Sequence, residues 1–304
     1  MVARFILSFD CEGKWGVADH LTPQLHQHLS DASLTRAYRE LVTVLDEYAI
    51  EATFAFVGCY AITSAQLDAS LPQLRGLAQH FPDYLGPVLA DYTEGSREGW
   101  VGDWAVDMIA NAASKHELGL HGITHVPWNH PAMNEARARE ELALAYDAGF
   151  AIAARATTYI YPRNAVAYTH LLAERGIMAY REAKPRGSRI TSLLSEFDLF
   201  TKPEADIPCV TAPMPIPAGH FINWRHGLRK LVPVEVTRQR ARAMLQRAVK
   251  TNGVVHYWMH PENLASAPST MQVLKAILDE VRTLRDAGKC EVLTQDAYYQ
   301  RLRS

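Results

Sequence analysis

The sequence of 304 residues has no long hydrophobic run and no marked excess of either charge. No stretch approaches the ~20 consecutive apolar residues that span a membrane. The apolar run from Phe5 to Phe9 is too short for the core of a signal peptide, and Asp10 follows it at once. A formal net charge of −2 gives no electrostatic reason to expect binding of nucleic acid or of an anionic membrane. We therefore expect a soluble, cytoplasmic protein without a membrane span.

Cysteine is also scarce. The four cysteines are Cys11, Cys59, Cys209 and Cys290, and no two of them form a CxxC pair. Without a secretion signal, a disulfide framework is not expected. We expect all four to be small, buried apolar side chains.

What is present is an ordinary globular composition, with 48% hydrophobic and 21% charged residues. Runs of β-forming residues alternate with segments of helical periodicity along the whole chain, which predicts an α/β fold with a parallel sheet or barrel. We expect a single domain over residues 1–304, with irregular insertions rich in Pro and Gly at about 81–100 and 183–233. Strands are predicted at 4–10, 52–57, 117–121, 159–162, 177–180, 210–212, 254–259 and 291–294.

Polar side chains that suit metal chemistry follow two of these strands. Asp10 and Glu12 are two carboxylates one residue apart at the end of the first strand. One of them can bind a metal while the other stays free as a base. His121 and His125 follow the third strand with a spacing that is common in metal sites. Taken singly, each pair can also be an ordinary polar loop at a strand end.

Two further segments carry candidate functional groups. Alternation along the strand 254–259 and just beyond it places His256, Trp258 and His260 on one face, where a histidine can act as an acid near neutral pH. The sequence Tyr-Pro-Arg-Asn at 161–164 places Arg163 at a strand end, where it can hold a carboxylate ionised. A surface ion pair is the plainer interpretation of Arg163.

Taken together and in order, these segments resemble the motifs of the polysaccharide deacetylases, carbohydrate esterase family four, which includes the nodulation-factor deacetylase. The matching segments are Asp-x-Glu at 10–12, Ala-Thr-Phe-x-Phe-Val-Gly at 52–58, Gly-Leu-His-x-x-Thr-His at 119–125, Tyr-Pro-Arg-Asn at 161–164 and Trp-x-His-Pro at 258–261. The similarity extends from about residue 4 to about residue 264. It implies a distorted (β/α) barrel of seven or eight strands and hydrolysis of acetyl groups with one divalent metal.

The resemblance also implies roles for residues of the first two motifs. Asp10 matches the family's catalytic base. Cys11 stands where many members have a metal-binding Asp, so Glu12 is the expected ligand, with a Cys11 thiolate as the less favoured alternative. His121 and His125 match the two metal-binding histidines, and Gly122 replaces the usual hydroxyl residue between them.

Roles for the later motifs follow in the same way. His260 matches the acid that protonates the leaving amine, and Trp258 the wall of the acyl pocket. Arg163 is expected to pair with Asp10, although the order Pro-Arg differs from the usual motif and resembles a variant found in O-antigen gene clusters. A backbone N–H near Tyr161 is expected to stabilise the oxyanion. Further candidates for substrate contact are Asn164, Trp15 and His256.

The predicted function is metal-dependent removal of an acetyl or formyl group from an amino sugar. Zn²⁺ is the expected metal, with Co²⁺, Ni²⁺ and Fe²⁺ also compatible with histidine and carboxylate ligands. The expected substrate is a nucleotide-linked or lipid-linked precursor of a surface polysaccharide such as O-antigen. Two alternatives remain: a metal-independent C–N hydrolase similar to allantoinase, and a catalytically silent sugar-binding barrel.

Overall fold

A single parallel sheet of nine strands runs through the computed structural model, which describes residues 1–184, 195–207 and 211–303. The strands, β1 to β9 in chain order, are Ala3–Cys11, Thr53–Phe56, Glu117–Leu120, Thr158–Ile160, Ala179–Arg181, Met214–Ile216, His220–Phe221, Val254–Met259 and Cys290–Leu293. The spatial order is β6-β5-β4-β3-β2-β1-β8-β7, and β9 pairs with β1. The sheet curls into the expected distorted barrel, which stays open between β6 and β7.

Helices cover the outside of this sheet. The α-helices that the structure describes, α1 to α12 in chain order, are Pro23–His28, Asp31–Tyr48, Ser64–Ala78, Pro82–Thr93, Asp103–Ala110, Glu135–Asp147, Ala151–Arg155, Thr169–Glu174, Val234–Thr251, Glu262–Ser266, Thr270–Asp286 and Gln295–Arg303. Short 3-10 helices lie at Gly13–His20, Pro162–Asn164, Ser195–Phe197 and Gly227–Leu231. No helix among these is both long and apolar enough to cross a membrane.

Strand β1 is the centre of the fold because it has three partner strands. One of its edges pairs with β8 from Arg4 to Phe9. The other edge pairs first with β9, from Ala3 to Ile6, and then with β2, from Ser8 to Cys11. From Arg4 to Phe9, β1 thus has a partner on one edge throughout and on the other edge at every residue except Leu7, so the first predicted carboxylate has a rigid support.

The inner face of β1 shows how the barrel interior is built. Ile6, Ser8 and Asp10 alternate with the outward Phe5, Leu7 and Phe9, which pack against the helices. Ile6 belongs to an apolar cluster that fills the lower barrel with Ala179, Met214, Ile216, Val254, Leu293, Tyr298 and Tyr299. Polarity along the inner face therefore increases toward the carboxyl ends of the strands, where active sites of such barrels lie.

The expected irregular insertion at 81–100 is wrong for most of its length, because α4 occupies Pro82–Thr93. Pro82 stands in the first turn, where its missing N–H costs nothing. Leu85, Val88 and Tyr92 recur with helical spacing and are buried against the preceding helix and the 3-10 helix at 13–20. The content of Pro and Gly concealed this periodicity.

In the second expected insertion, 183–233, the structure describes residues 183–184, 195–207 and 211–233. These hold two 3-10 helices and the short strands β6 and β7, with irregular connections between them. Cys209 and Val210, the first residue of the predicted strand 210–212, lie outside the described residues. Cys11, Cys59 and Cys290 are free and buried, as expected.

Candidate metal centre

Three predicted ligands meet at the carboxyl ends of β1 and β3. Glu12 Oε1 lies 2.9 Å from His121 Nε2 and 3.0 Å from His125 Nε2. Both imidazoles are 1% exposed. One carboxylate and two imidazole nitrogens thus point at a common centre, with ligand atoms within 4.8 Å of one another.

The protons of this cluster show that a cation fits it. His121 Nδ1 lies 3.0 Å from the Ile160 carbonyl oxygen, which only accepts hydrogen bonds, so Nδ1 carries the proton. Nε2 then directs a lone pair at Glu12 Oε1, unless the ring takes a second proton or a cation lies between them. Burial lowers the pKa of His125 and disfavours a second proton there, although Glu12 opposes the shift. A divalent metal satisfies all three groups and leaves positions open for water and substrate.

The loop that presents the two histidines depends on unusual backbone angles. Gly122 has a φ of +70° and His125 a φ of +62°, both in the left-handed region. A Cβ on Gly122 would lie 2.6 Å from Pro162 Cγ. The hydroxyl residue that the resembled family has here is therefore excluded by both the backbone angle and the approach of Pro162.

A buried carboxylate, Glu141 of α6, holds this loop in place. Its Oε1 accepts hydrogen bonds from the Ile123 and Thr124 N–H groups and from the Thr124 hydroxyl, and its Oε2 accepts one from Trp128 Nε1 at 2.6 Å. Burial raises the pKa of Glu141, against these hydrogen bonds. Glu141 thus fixes the conformation of the loop that carries both histidines.

A second buried carboxylate, Glu262, holds the main chain of the acidic ligand. Its Oε1 accepts hydrogen bonds from the backbone N–H groups of Glu12 at 2.9 Å and Gly13 at 2.7 Å. Burial and the neighbouring Glu12 charge raise the pKa of Glu262 to about 7. Cys11, the alternative ligand, points to the opposite face of β1, and burial raises the pKa of its thiol well above the ordinary value.

Asp10 lies beside the metal ligands and is paired with Arg181 rather than with Arg163. Arg181 Nη1 donates to Asp10 Oδ1 at 2.7 Å and Nη2 to Oδ2 at 2.6 Å, with both side chains buried. Burial raises the pKa of Asp10, but Arg181, His121 and His260 outweigh it and leave the pKa below its ordinary value. The carboxylate is therefore kept ionised.

The expected pair between Arg163 and Asp10 is wrong. Arg163 has a φ of +57° within the turn Pro162–Asn164, and its side chain donates to Asp19 Oδ1 at 2.6 Å and to the Gly16 carbonyl. Arg163 thus joins this turn to the 3-10 helix at 13–20. Its neighbour Asn164 contacts the ion pair instead, because its Oδ1 accepts from Arg181 Nη2 at 3.0 Å.

A buried hydrogen-bond chain supports Arg181 from below. Arg181 Nη1 donates to Ser8 Oγ at 3.3 Å, and Ser8 lies 2.8 Å from His256 Nε2. His256 Nδ1 lies 2.6 Å from the Pro217 carbonyl, so the ring donates there and accepts from Ser8. Burial and Arg181 lower the pKa of His256 to about 3, which keeps it neutral.

His260, the predicted acid, faces both carboxylates. Its Nε2 is 3.4 Å from Glu12 Oε1 and 4.0 Å from Asp10 Oδ2. Burial lowers its pKa, but the two carboxylates outweigh this and raise the pKa to about 9. Trp258 lies beside His260, with its ring 4.3 Å below the Arg181 guanidinium.

A cavity of about 820 Å³ opens above these groups. Asp10, Glu12, His121 and His260 lie at its base, and Trp258 and Asn164 line it as expected. Three other predicted contacts are buried elsewhere: Trp15 donates to the Trp100 carbonyl, the Tyr161 ring packs among aromatic side chains, and His256 lies one layer deeper. Only the backbone of Tyr161 remains for the expected oxyanion contact.

No family model and no curated protein matches this sequence. Among solved structures, the Puue allantoinase has a TM-score of 0.56 at 10% identity, over 98% of this chain and 89% of that one. A protein of Mycobacterium smegmatis described as a polysaccharide deacetylase has 0.52 at 15% identity, over 99% and 90%. One of Pseudomonas aeruginosa PAO1 with the same description has 0.50 at 12%, over 98% and 89%.

The chain has the polysaccharide deacetylase fold. This confirms the fold that the sequence resemblance implied.

Within this fold, sequence reasoning missed three residues that organise the centre: Arg181, Glu141 and Glu262. Arg181 ends β5 one residue after the strand predicted at 177–180, so its place at a strand end was a usable signal. Glu141 and Glu262 lie on helices and act through backbone N–H groups. No local motif marks such contacts.

Proposed function

We propose that this chain is a metal-dependent amide hydrolase that removes an acetyl or formyl group from an amino sugar. One observation carries the proposal: the convergence of Glu12, His121 and His125 beside Asp10 and His260. These are the ligands, base and acid that hydrolysis of an amide needs, and they lie together at the base of one cavity.

Glu12, His121 and His125 would hold a divalent metal, which would polarise the carbonyl and acidify a water. Asp10 is placed to accept a proton from the attacking water, since Arg181 keeps the pKa of this carboxyl below its ordinary value. Ser8 and Asn164 fix Arg181 from two further directions. The base is therefore pre-oriented before substrate arrives.

His260 donates a proton to the leaving nitrogen, because an amine does not leave as an anion. In the metal-free site, Glu12 and Asp10 raise the pKa of His260 to about 9, which favours the protonated ring. Trp258 lies against the acyl side of the cavity, where an apolar wall suits a methyl group or a hydrogen. The backbone N–H of Tyr161 is the expected donor to the developing oxyanion.

The substrate class follows from the resemblance of the sequence and from the size of the cavity. An acetyl group alone would leave most of 820 Å³ unfilled, so the cavity suits a sugar with a carrier attached. We propose a nucleotide-linked or lipid-linked precursor of a surface polysaccharide such as O-antigen. Zn²⁺ as the metal and a cytoplasmic location remain predictions.

A metal-independent C–N hydrolase is the second candidate, because the Puue allantoinase shares the fold. The lone pair of His121 Nε2 directed at Glu12 argues against it, since without a cation or an added proton the two groups repel each other.

Elemental analysis of protein purified without chelator tests the proposal. We expect about one equivalent of a transition metal, lost in His121→Ala and kept in His80→Ala, an exposed histidine elsewhere. The metal-loaded protein should release acetate or formate from acylated amino sugars. No metal uptake even with added Zn²⁺, together with C–N hydrolysis, would favour the second candidate.

A further inference from the structure

Three exposed apolar side chains lie together on one part of the surface. Among the described residues, seven large apolar side chains are exposed, and two of these are Met1 and Val2 at the chain start. Leu199 and Phe200 lie against Arg247, toward the amino-terminal ends of the strands. The remaining three form what we call the apolar patch: Phe197, Leu228 and Leu231. Leu228 and Leu231 are each 71% exposed and Phe197 is 51% exposed, which is high for large apolar side chains.

The two segments of the patch are held together by buried charges. Glu196, next to Phe197, lies 3.1 Å from Arg229, next to Leu228, and 3.2 Å from Arg240. Arg247 donates to the Leu199 carbonyl at 2.7 Å and lies 5.7 Å from the centre of the Phe200 ring. The apolar patch is thus part of a fixed surface.

The charge around the patch is basic. Residues 225–231 contain Arg225, Arg229 and Lys230 and no acidic residue. In the adjacent segment, Glu196 is buried and paired, which leaves Asp198 as its exposed acid, and Glu235, which follows Leu231 on the next helix, is paired with Arg238. The near-neutral charge of the whole chain therefore conceals a local basic region.

This surface is continuous with the mouth of the cavity. Trp224 and His226 line the cavity, with ring centres 4.5 Å apart, and Leu228 follows two residues later. The opposite wall of the cavity includes Val17, Leu25 and Leu29. An apolar path thus leads from the patch to the groups at the base.

We propose that the apolar patch docks the protein on an anionic lipid bilayer, with the cavity mouth facing the lipid surface. Leucine and phenylalanine flanked by lysine and arginine is the chemistry that inserts at such a surface. A second copy fits less well, because a symmetric contact would bring two copies of the same basic region together. Given the proposed function, this selects a lipid-linked acylated amino sugar as substrate.

Co-sedimentation with vesicles tests the docking, using full-length protein and either phosphatidylcholine alone or a mixture with phosphatidylglycerol. We expect binding to the anionic vesicles that weakens as salt is added. The double variant Leu228→Ser/Leu231→Ser should bind at least tenfold more weakly. Val2→Ser, which removes an exposed apolar side chain at the opposite end of the barrel, should bind as the wild type does.

Hydrolysis of a water-soluble acylated amino sugar by the same variants separates this proposal from the function. The double variant should keep wild-type turnover, because neither leucine lines the cavity. No vesicle binding by the wild type, or equal binding by the double variant, would overturn the docking and leave the hydrolase intact. A dimer in solution that the double variant abolishes would assign the patch to a second copy and also overturn it.

Discussion

A carboxylate buried in a barrel stays ionised only when a positive charge is held against it, and for Asp10 that charge is Arg181. The pair is bidentate and buried, with Ser8, Asn164 and Trp258 holding the guanidinium. Arginine is suited to this because its planar fork matches both carboxylate oxygens.

Arg181→Met should therefore leave an uncompensated buried charge. We expect a loss of about 3 kcal/mol or more in the free energy of unfolding, and turnover reduced by roughly 10²-fold or more as the pKa of Asp10 rises. Urea titration and steady-state kinetics measure both. Arg163→Met is the matched control, since Arg163 pairs with Asp19 at the cavity edge, and an equal loss there would contradict the assignment.

Gly122→Ala tests the close approach that shapes the histidine loop. Gly149 has a similar φ of +66°, and a Cβ added there would meet nothing within 4 Å, so Gly149→Ala isolates the cost of the backbone angle, about 1 kcal/mol. We expect Gly122→Ala to cost clearly more and to weaken metal binding, because Pro162 must move. Equal destabilisation by the two variants, with metal affinity intact, would show that Pro162 can move away at no cost in stability.

At the scale of elements, the centre depends on helices that lie behind the strand ends. Helix α6 places Glu141 where it satisfies two buried N–H groups of the His121–His125 loop. The loop has no regular secondary structure of its own. Its conformation is therefore fixed by hydrogen bonds to the Glu141 carboxylate of the helix.

Glu141→Ala should loosen this loop without touching a ligand. We expect metal affinity to fall by roughly 10- to 100-fold, the usual worth of such supporting contacts. Isothermal titration with Zn²⁺ or Co²⁺ measures it. Glu140→Ala, an exposed neighbour on the same helix, should bind as the wild type does, and unchanged affinity in both variants would remove Glu141 from this role.

The sequence predicted the residues that meet at the candidate site better than the elements that support them. Asp10, Glu12, His121 and His260 were found because each adjoins a strand with clear β-forming character. Helix α4 was missed because Pro and Gly obscured the spacing of Leu85, Val88 and Tyr92. Arg163 was misassigned because a left-handed turn, which no local pattern marked, redirects its side chain.

At the scale of the whole molecule, one buried histidine, His256, and two half-buried ones, His116 and His220, are held in their neutral form. Burial lowers the pKa of His116 to about 4 and of His220 and His256 to about 3, with nearby cations adding to the shift at the latter two. Because these folded-state pKa values lie below the unfolded value near 6.5, the unfolded chain binds more protons in acid. Each histidine thus contributes stability above about pH 6.5 that is lost as the pH falls toward its folded pKa.

The contribution of one histidine is isolated by His256→Gln. Glu262, with a pKa of about 7, changes the stability in the opposite direction as the pH falls. The quantity to compare is therefore the difference in pH dependence between the variant and the wild type. In metal-free protein, we expect the stability of the variant to fall with pH less steeply than that of the wild type, by about half a proton at pH 6.5 and about one proton at pH 5, or about 0.7 to 1.4 kcal/mol per pH unit. Urea titrations at a series of pH values measure this, with His80→Gln as control. Parallel curves would mean that His256 is not buried neutral.

The three-partner position of β1 has a consequence for how the chain is made. Ser8 and His256, which touch in the folded protein, are 248 positions apart in the chain. A ribosome adding ~5–20 residues per second needs roughly 12–50 s to synthesise that interval. During this time the β8 edge of the strand that bears Asp10 has no partner strand, although β2 can already pair with its other edge. The pairing that closes this edge therefore waits until β8 has been translated.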